Sequence, residues 1–262
     1  MVTSRHMLIT GASAGLGRAL AVACARPGAV LHLGGRDAAR IGAVAEECQA
    51  KGATALPRVV DVRDADAMAA WIGGAGPLDL VIANAGISAG TGGAVEPAAT
   101  ARAVFETNVT GVLNTVLPAL EVMAAQSPDA AGLRGRVAVV ASVAAFVAAP
   151  GAPAYCASKA AVQRWAEALD ATERRRGIRL HAVCPGYIRT AMTARNQFPM
   201  PFLMGADEAA RRTLAGIAAG RTRIAYPWPV YWAARLMGAL PVGLRAAIFN
   251  RLPAKAADPG LG

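Results

Sequence analysis

Lysine is scarce in this 262-residue chain: Lys51, Lys159 and Lys255 stand against 24 arginines, so a lysine at a special position is informative. Cysteine is scarce as well. Cys24, Cys48, Cys156 and Cys184 form no CxxC pair and have no histidine at metal-ligand spacing. That excludes a disulfide framework and a zinc module, and predicts small buried hydrophobes in a reducing compartment and no metal. Cys156 stands out only because it follows Tyr155. No apolar run is long enough to cross a bilayer; the most apolar stretch, Val137 to Ala154, is broken by Ser142, Pro150 and Pro153. The opening MVTSRHMLITGAS lacks a long apolar region and a signal-type cleavage site, and the expectation is a cytoplasmic protein. Basic residues exceed acidic ones by 27 to 17, a net charge of +10, yet they form no cluster interleaved with aromatics. Nucleic acid is therefore excluded as a partner, while an anionic surface or a phosphorylated ligand stays open.

What is present is apolar and regularly spaced. Hydrophobic residues make up 55% of the chain and mean hydropathy is +0.37, enough for a sizeable core. Strand-like runs occur at Met7–Thr10, Val30–Gly34, Leu56–Val60, Leu78–Ala83, Arg136–Ala141, Arg179–Val183 and, weakly, Arg223–Tyr226. Helical patterns fill Gly15–Arg26, Asp37–Lys51, Asp64–Ile72, Thr100–Ala125, Ala154–Arg176 and Asp207–Ala219. This alternation predicts βαβ units, and continuous apolar runs such as LDLVIA and VAVVA suit strands covered on both faces. The expected fold is an α/β, doubly wound, Rossmann-like parallel sheet of about seven strands. It forms one domain, with residues 1–226 as core and 227–262 as a C-terminal extension.

The segment LITGASAGLG sets Gly11, Gly15 and Gly17 between the first strand and a helix beginning near Leu16. Glycine is needed where backbone turns tightly or lies against a ligand, and the helix start offers free N–H groups to a phosphate. The second strand ends AVLHLGGRD. In a doubly wound fold that end meets the adenosine ribose, where an acid suits a 2′-hydroxyl and an arginine a 2′-phosphate. Here Gly35 occupies the acid's place and Arg36 follows, while Asp37 suits a helix cap. The charge logic favours NADP over NAD.

PAYCASKAAVQRWAEAL carries Tyr155 and Lys159, four residues apart and so on one helix face. A phenol beside an ammonium can exchange a proton with a carbonyl or alcohol oxygen. Ser142 ends the strand RVAVVAS, and Asn108 lies in FETNVTG within a long helix, where a buried amide is unfavourable unless used.

With these motifs the chain resembles the single-domain branch of the short-chain dehydrogenase/reductase family, from about residue 5 to residue 225. TGASAGLG, with Ser13, Ala14 and Leu16 among its glycines, resembles the family's cofactor loop. VDV, with Asp61 and Val62, resembles its adenine-contacting turn. NAG, Asn84 through Ala85 to Gly86, resembles the end of its fourth strand. NVTG resembles the segment of its catalytic asparagine, YCASK its active-site signature, and PGYIRT, from Pro185 and Gly186 to Thr190, its nicotinamide-holding loop. The resemblance implies that Tyr155 is the general acid and that Ser142 hydrogen-bonds the substrate oxygen. It implies that Lys159 holds the nicotinamide ribose and depresses the Tyr155 pKa, and that Asn108 anchors a water linking Lys159 to solvent. It further implies that Thr190 and the backbone near Ile188 fix the carboxamide. The expected activity is NADP(H)-dependent interconversion of a ketone and a secondary alcohol. Two other readings stand beside it, an NAD-dependent alcohol dehydrogenase and a non-catalytic, cofactor-sensing protein.

The tail departs from that pattern. Trp228, Trp232, Leu236, Leu240, Leu244, Ile248 and Leu252 recur every four residues, predicting two short amphipathic helices, the second from Pro241, made basic by Arg235, Arg245 and Arg251. Packing on the core, a lid, a partner surface and a peripheral membrane contact all remain open. A homodimer through the long helices is expected in preference to a homotetramer. The loop from Tyr187 to Gly205 carries Met192, Phe198, Met200, Phe202 and Met204, which with the apolar loop after Ser142 favours a hydrophobic small-molecule substrate. Arg189 and Arg195 leave room for an anionic headgroup.

Overall fold

Each apolar run read above becomes a strand, and the central ones are covered on both faces, whereas the edge strand over Thr54–Val59 leaves Leu56 and Val59 exposed. The computed structural model describes residues 4–194, 196, 198–249 and 251. Arg195 and Leu252, named above, lie outside the described residues. Strands β1 (His6–Thr10), β2 (Val30–Gly35), β3 (Thr54–Val59), β4 (Leu80–Ala83), β5 (Gly135–Val140), β6 (Ile178–Pro185) and β7 (Arg223–Tyr226) form one parallel sheet. The order is β3-β2-β1-β4-β5-β6-β7. The chain builds outward from β1 to β3, then returns to lay β4 beside β1, so the crevice at the carboxyl ends of β1 and β4 is the topological switch point. Alternation splits the core: Met7 and Ile9 of β1 join one cluster, and Leu8 between them joins the other. Pro57 is tolerated because β3 is an edge strand.

The first cluster is closed by α1 (Gly15–Cys24), α2 (Ala38–Gln49) and, later in the chain, a helix over Ala206–Ala218. Asp37 caps α2 by accepting the Arg40 N–H at 3.0 Å, as its position suggested. Asp64 does the same for α3 (Ala65–Gly73) through the Ala67 N–H. Helix α1 follows Ala14 and has no side-chain cap, which leaves its first N–H groups facing the crevice.

The long helix expected over Thr100–Ala125 is interrupted. Helix α4 (Ala98–Phe105) and α5 (Gly111–Ala125) are joined by a π-helical turn, Glu106–Thr110, that holds Asn108. Close packing accounts for its end: a Cβ on Gly111 would stand 2.5 Å from Val62 Cγ2. By length and composition the stretch Ala98–Ala125 could cross a membrane. Here Val112, Val116 and Leu120 of it are buried in the core.

Helix α6 (Pro153–Glu173) starts with proline and crosses behind β5 and β6. A short turn, α7 (Ala191–Ala194), which the sequence pattern did not suggest, precedes α8 (Ala206–Ala218). In the tail, α9 (Trp228–Ala239) and α10 (Val242–Phe249) match the two helices expected. The second begins one residue later, with the Pro241 carbonyl accepting the Arg245 N–H at 3.0 Å.

Candidate active site

The crevice between β1 and β4 opens into a cleft of about 340 Å³. Its floor is the glycine loop. Gly11 has φ +63°, and a Cβ there would lie 2.8 Å from Ala85 Cα. A Cβ on Gly17 would lie 2.1 Å from the Gly11 carbonyl oxygen, so α1 can start this close to the sheet only with glycine. Thr10, which the motif reading passed over, ties the loop to β4: its Oγ1 accepts the N–H groups of Asn84 (3.1 Å) and Ala85 (3.2 Å). The Asn84 amide donates to the carbonyls of Thr10 and Gly11, both at 3.1 Å, and so braces the loop from below. Bare glycine backbone and an uncapped helix start are the cradle a diphosphate requires, and the residues present fit a dinucleotide.

At one end of the cleft are Ser13, Gly35, Arg36, Asp61 and Val62. Arg36 is exposed and forms no ion pair among the described residues. A side chain at 35 would begin against Ser13, whose Cβ and Oγ lie 3.3 and 3.4 Å from an ideal Cβ there. Asp61 is held by Arg63, with an oxygen 2.7 Å from Nη2, and that guanidinium keeps its carboxyl below the usual range. The turn is thus preformed, and Arg36 at its mouth, near enough to help lower the Asp61 carboxyl, forms no ion pair among the described residues.

At the other end stand Ser142, Tyr155 and Lys159. Ser142 lies just past β5, and its Oγ accepts the Ala144 N–H at 3.1 Å to start a 3₁₀ turn over Val143–Phe146. The Tyr155 and Ser142 side chains are hydrogen-bonded. Burial pushes the Tyr155 phenol above its ordinary value, and the Ser142 bond draws it only partly back. The expected lowering of this phenol by Lys159 is thus not what this arrangement gives. Lys159 Nζ is 5.9 Å from the ring centroid and donates to the Val140 carbonyl at 2.8 Å. Burial brings the lysine itself down from 10.5 to about 8.

Asn108 is fully buried behind the cleft, and of the catalytic and cofactor-binding residues selected from the sequence it alone does not line it. Its Oδ1 accepts the Ile87 N–H (2.8 Å), and Nδ2 donates to the Ile87 carbonyl (2.9 Å) and to Ser158 Oγ (3.1 Å). Ser158 in turn donates to the Tyr155 carbonyl at 2.9 Å. The amide therefore clamps the strand after β4 to the helix bearing Tyr155 and Lys159, and an ideal Cβ on Gly86 would be 3.1 Å from Oδ1 and 3.3 Å from Nζ. Ser158 was legible only as the middle of YCASK. Glu96, whose carboxylate accepts the Ala154 N–H at 3.2 Å and steadies the start of α6, carried no sequence signal.

Pro185, Gly186, Ile188 and Thr190 close the cleft along the end of β6. Thr193 organises them: its Oγ1 donates to the Ile188 carbonyl (2.6 Å) and accepts the Thr190 N–H (3.0 Å). Of the apolar residues expected around a substrate, Met192 lines the cleft, whereas Met204 packs on the core and Phe202 is exposed. Phe198 packs edge-on against Tyr187 at 5.9 Å, and Met200 Sδ meets the Asn196 amide.

Residues 5–199 match the family model described as short chain dehydrogenase. An uncharacterized oxidoreductase of Myxococcus xanthus (strain DK1622) is 37% identical over 252 residues, 95% of this chain and 97% of that protein. Gluconate 5-dehydrogenase of Gluconobacter oxydans (strain 621H) is 32% identical over 198 residues, covering 74% of this chain and 75% of its own. Among solved structures, a variant of actinorhodin polyketide ketoreductase with NADPH superposes with a TM-score of 0.75 at 25% identity, over 86% of this chain and 96% of that one. The chain belongs to the short-chain dehydrogenase/reductase family. It is an oxidoreductase of CH–OH groups that uses a nicotinamide cofactor.

Proposed function

We propose that this enzyme reduces a hydrophobic ketone to a secondary alcohol with NADPH. One observation carries the reading: a single cleft joins Arg36, without an ion pair among the described residues, at one end to a hydrogen-bonded Ser142–Tyr155 pair at the other. Gly11, Gly15 and Gly17 would cradle the diphosphate, and Arg36 would meet a 2′-phosphate. When bound, the reduced nicotinamide supplies a hydride. Tyr155, kept protonated at neutral pH by burial, gives its proton to the carbonyl oxygen as charge develops there. Ser142 would donate a hydrogen bond to the same oxygen, and Lys159 would hold the nicotinamide ribose. Asn108 holds these groups in register through Ile87 and Ser158. Met192, with Ile87, Val140 and Ile188 along the same cleft, supplies the apolar wall that favours a hydrocarbon-rich ketone over a sugar. A homodimer through α4–α5 and α6 belongs to the same reading, supported by exposed Phe105 and Leu117, and sedimentation velocity tests it. The activity test is a panel of ketones from short to long-chain, with NADPH and NADH each followed by absorbance. Oxidation of NADPH that is fastest with long apolar ketones is the expected outcome; preference for NADH, or for polyols in the reverse direction, would overturn it.

A further inference from the structure

Helix α9 has two faces, and the core occupies only one. On the inner face, Tyr231 packs edge-on against Phe146 at 5.2 Å, and its hydroxyl accepts from Arg223 (3.0 Å) and Arg235 (3.2 Å). Gly238 lies so close to the Phe146 carbonyl that a Cβ would stand 1.8 Å from its oxygen. Among the described residues the outer face has no such contact with the core, and Trp232 meets Tyr231 of its own helix at 5.3 Å. Trp228 is 72% exposed, Trp232 52% and Leu236 68%, and the strip continues on α10 with Val242 at 71% and Leu244 at 52%. Among the described residues, five of the twelve exposed large hydrophobic ones thus fall on these two helices. A stripe at helical spacing is ordinarily core, but here the inner contacts fix α9 with its stripe outward.

Charge decides what covers it. From Pro227 to Arg251 the chain has no acidic residue and three arginines, Arg235, Arg245 and Arg251, whereas Arg211, Arg212 and Arg223 before them are already paired with Glu208 and Glu167. Arg235 and Arg251 are exposed beside the strip, and the Arg235 guanidinium lies 5.8 Å from the Trp232 ring centroid. Two such faces from two copies would bring like charges together around an apolar centre. An anionic lipid surface meets both requirements, since indole rings settle at the headgroup level while arginines reach the phosphates. We infer that α9 and α10 form a docking face for an anionic bilayer, lying in its surface without crossing it. This inference stands apart from the proposed reaction, because lipid binding needs no turnover.

The test is flotation of the full chain with phosphatidylcholine vesicles, with and without about 30% phosphatidylglycerol. Binding should require the anionic lipid, weaken in high salt and shift tryptophan emission to the blue. Trp232→Glu combined with Leu236→Glu should weaken binding at least about tenfold. Leu244→Glu, on the other helix, should do so in part, with thermal melts confirming that each variant is folded. Equal binding to both vesicle types, no binding to either, or folded variants that bind like the parent would overturn the inference. So would concentration-dependent self-association that the same substitutions abolish while vesicles leave the protein untouched.

Discussion

Three side chains at the cleft can be judged singly. Tyr155 is the proton donor in the proposed reaction, so Tyr155→Phe should lower the ketone reduction rate by about 10²- to 10⁴-fold while NADPH binding, followed by fluorescence titration, stays nearly unchanged. A variant retaining a tenth of the rate would remove Tyr155 from that role. Arg36→Ala should weaken NADPH binding by about 1.5–3 kcal/mol and NADH binding hardly at all; equal losses would make Arg36 a support of the fold. Lys159 is instructive for its cost. Burial takes it from 10.5 to about 8, so below pH 8 the folded protein holds an ammonium that water would solvate better. The penalty is on the order of 3 kcal/mol at neutral pH, and it fades between pH 8 and 10.5, where the folded-state lysine is already neutral and the unfolded one loses its proton. Lys159→Met should therefore raise Tm at pH 7 by several degrees while abolishing turnover, and the gain should shrink at pH 10.

Elements show how one segment depends on another. The tail looks separable in sequence, because every motif precedes it, but α9 presses its inner face on the 3₁₀ turn that begins at Ser142. Gly238→Ala should push the Phe146 carbonyl or lift α9, costing about 1–3 kcal/mol of stability and lowering kcat more than it raises KM. Unchanged kcat in a folded variant would make the contact merely structural. The same contrast marks what could be read in advance. The strands of the sheet were legible because their apolar runs are short and bounded by glycine, proline and caps such as Asp37 and Asp64. The glycine loop, Ser142, Tyr155 and Lys159 were legible because their spacing is local. The break in the α4–α5 helix was not, because it arises from contacts made across the fold, Gly111 on Val62 and Asn108 on Ile87 and Ser158. Thr10, Thr193 and Glu96 were missed for the same reason: each acts through a backbone group that only the folded chain brings near.

At the scale of the whole molecule, one buried carboxylate links the far side of the sheet. Asp170 of α6 is 1% exposed. Its Oδ1 accepts the Leu180 N–H (2.9 Å) and Arg179 Nε (3.0 Å), and Oδ2 accepts Arg174 (2.6 Å) and the Thr222 hydroxyl (2.8 Å). Helix α6, β6 and the entrance to β7 are thereby joined at one residue. Burial alone would raise this carboxyl, but the four donors outweigh it and hold it at about 2, against 3.8 for a free aspartate. A carboxyl lowered on folding stabilises the protein above its unfolded value, and that contribution disappears as pH falls through the folded one. The network should thus contribute about 2–3 kcal/mol at neutral pH, lost between roughly pH 4 and pH 2. Asp170→Asn leaves the largely buried Arg179 facing a neutral amide while half-exposed Arg174 turns to water, so it should cost about 2–3 kcal/mol at pH 7. Urea unfolding of both proteins from pH 7 down to pH 2.5 checks this, the difference between them narrowing as the parent's carboxylate takes up its proton. A gap that stays constant with pH would mean that packing around Asp170, and not its charge, holds α6 to the sheet.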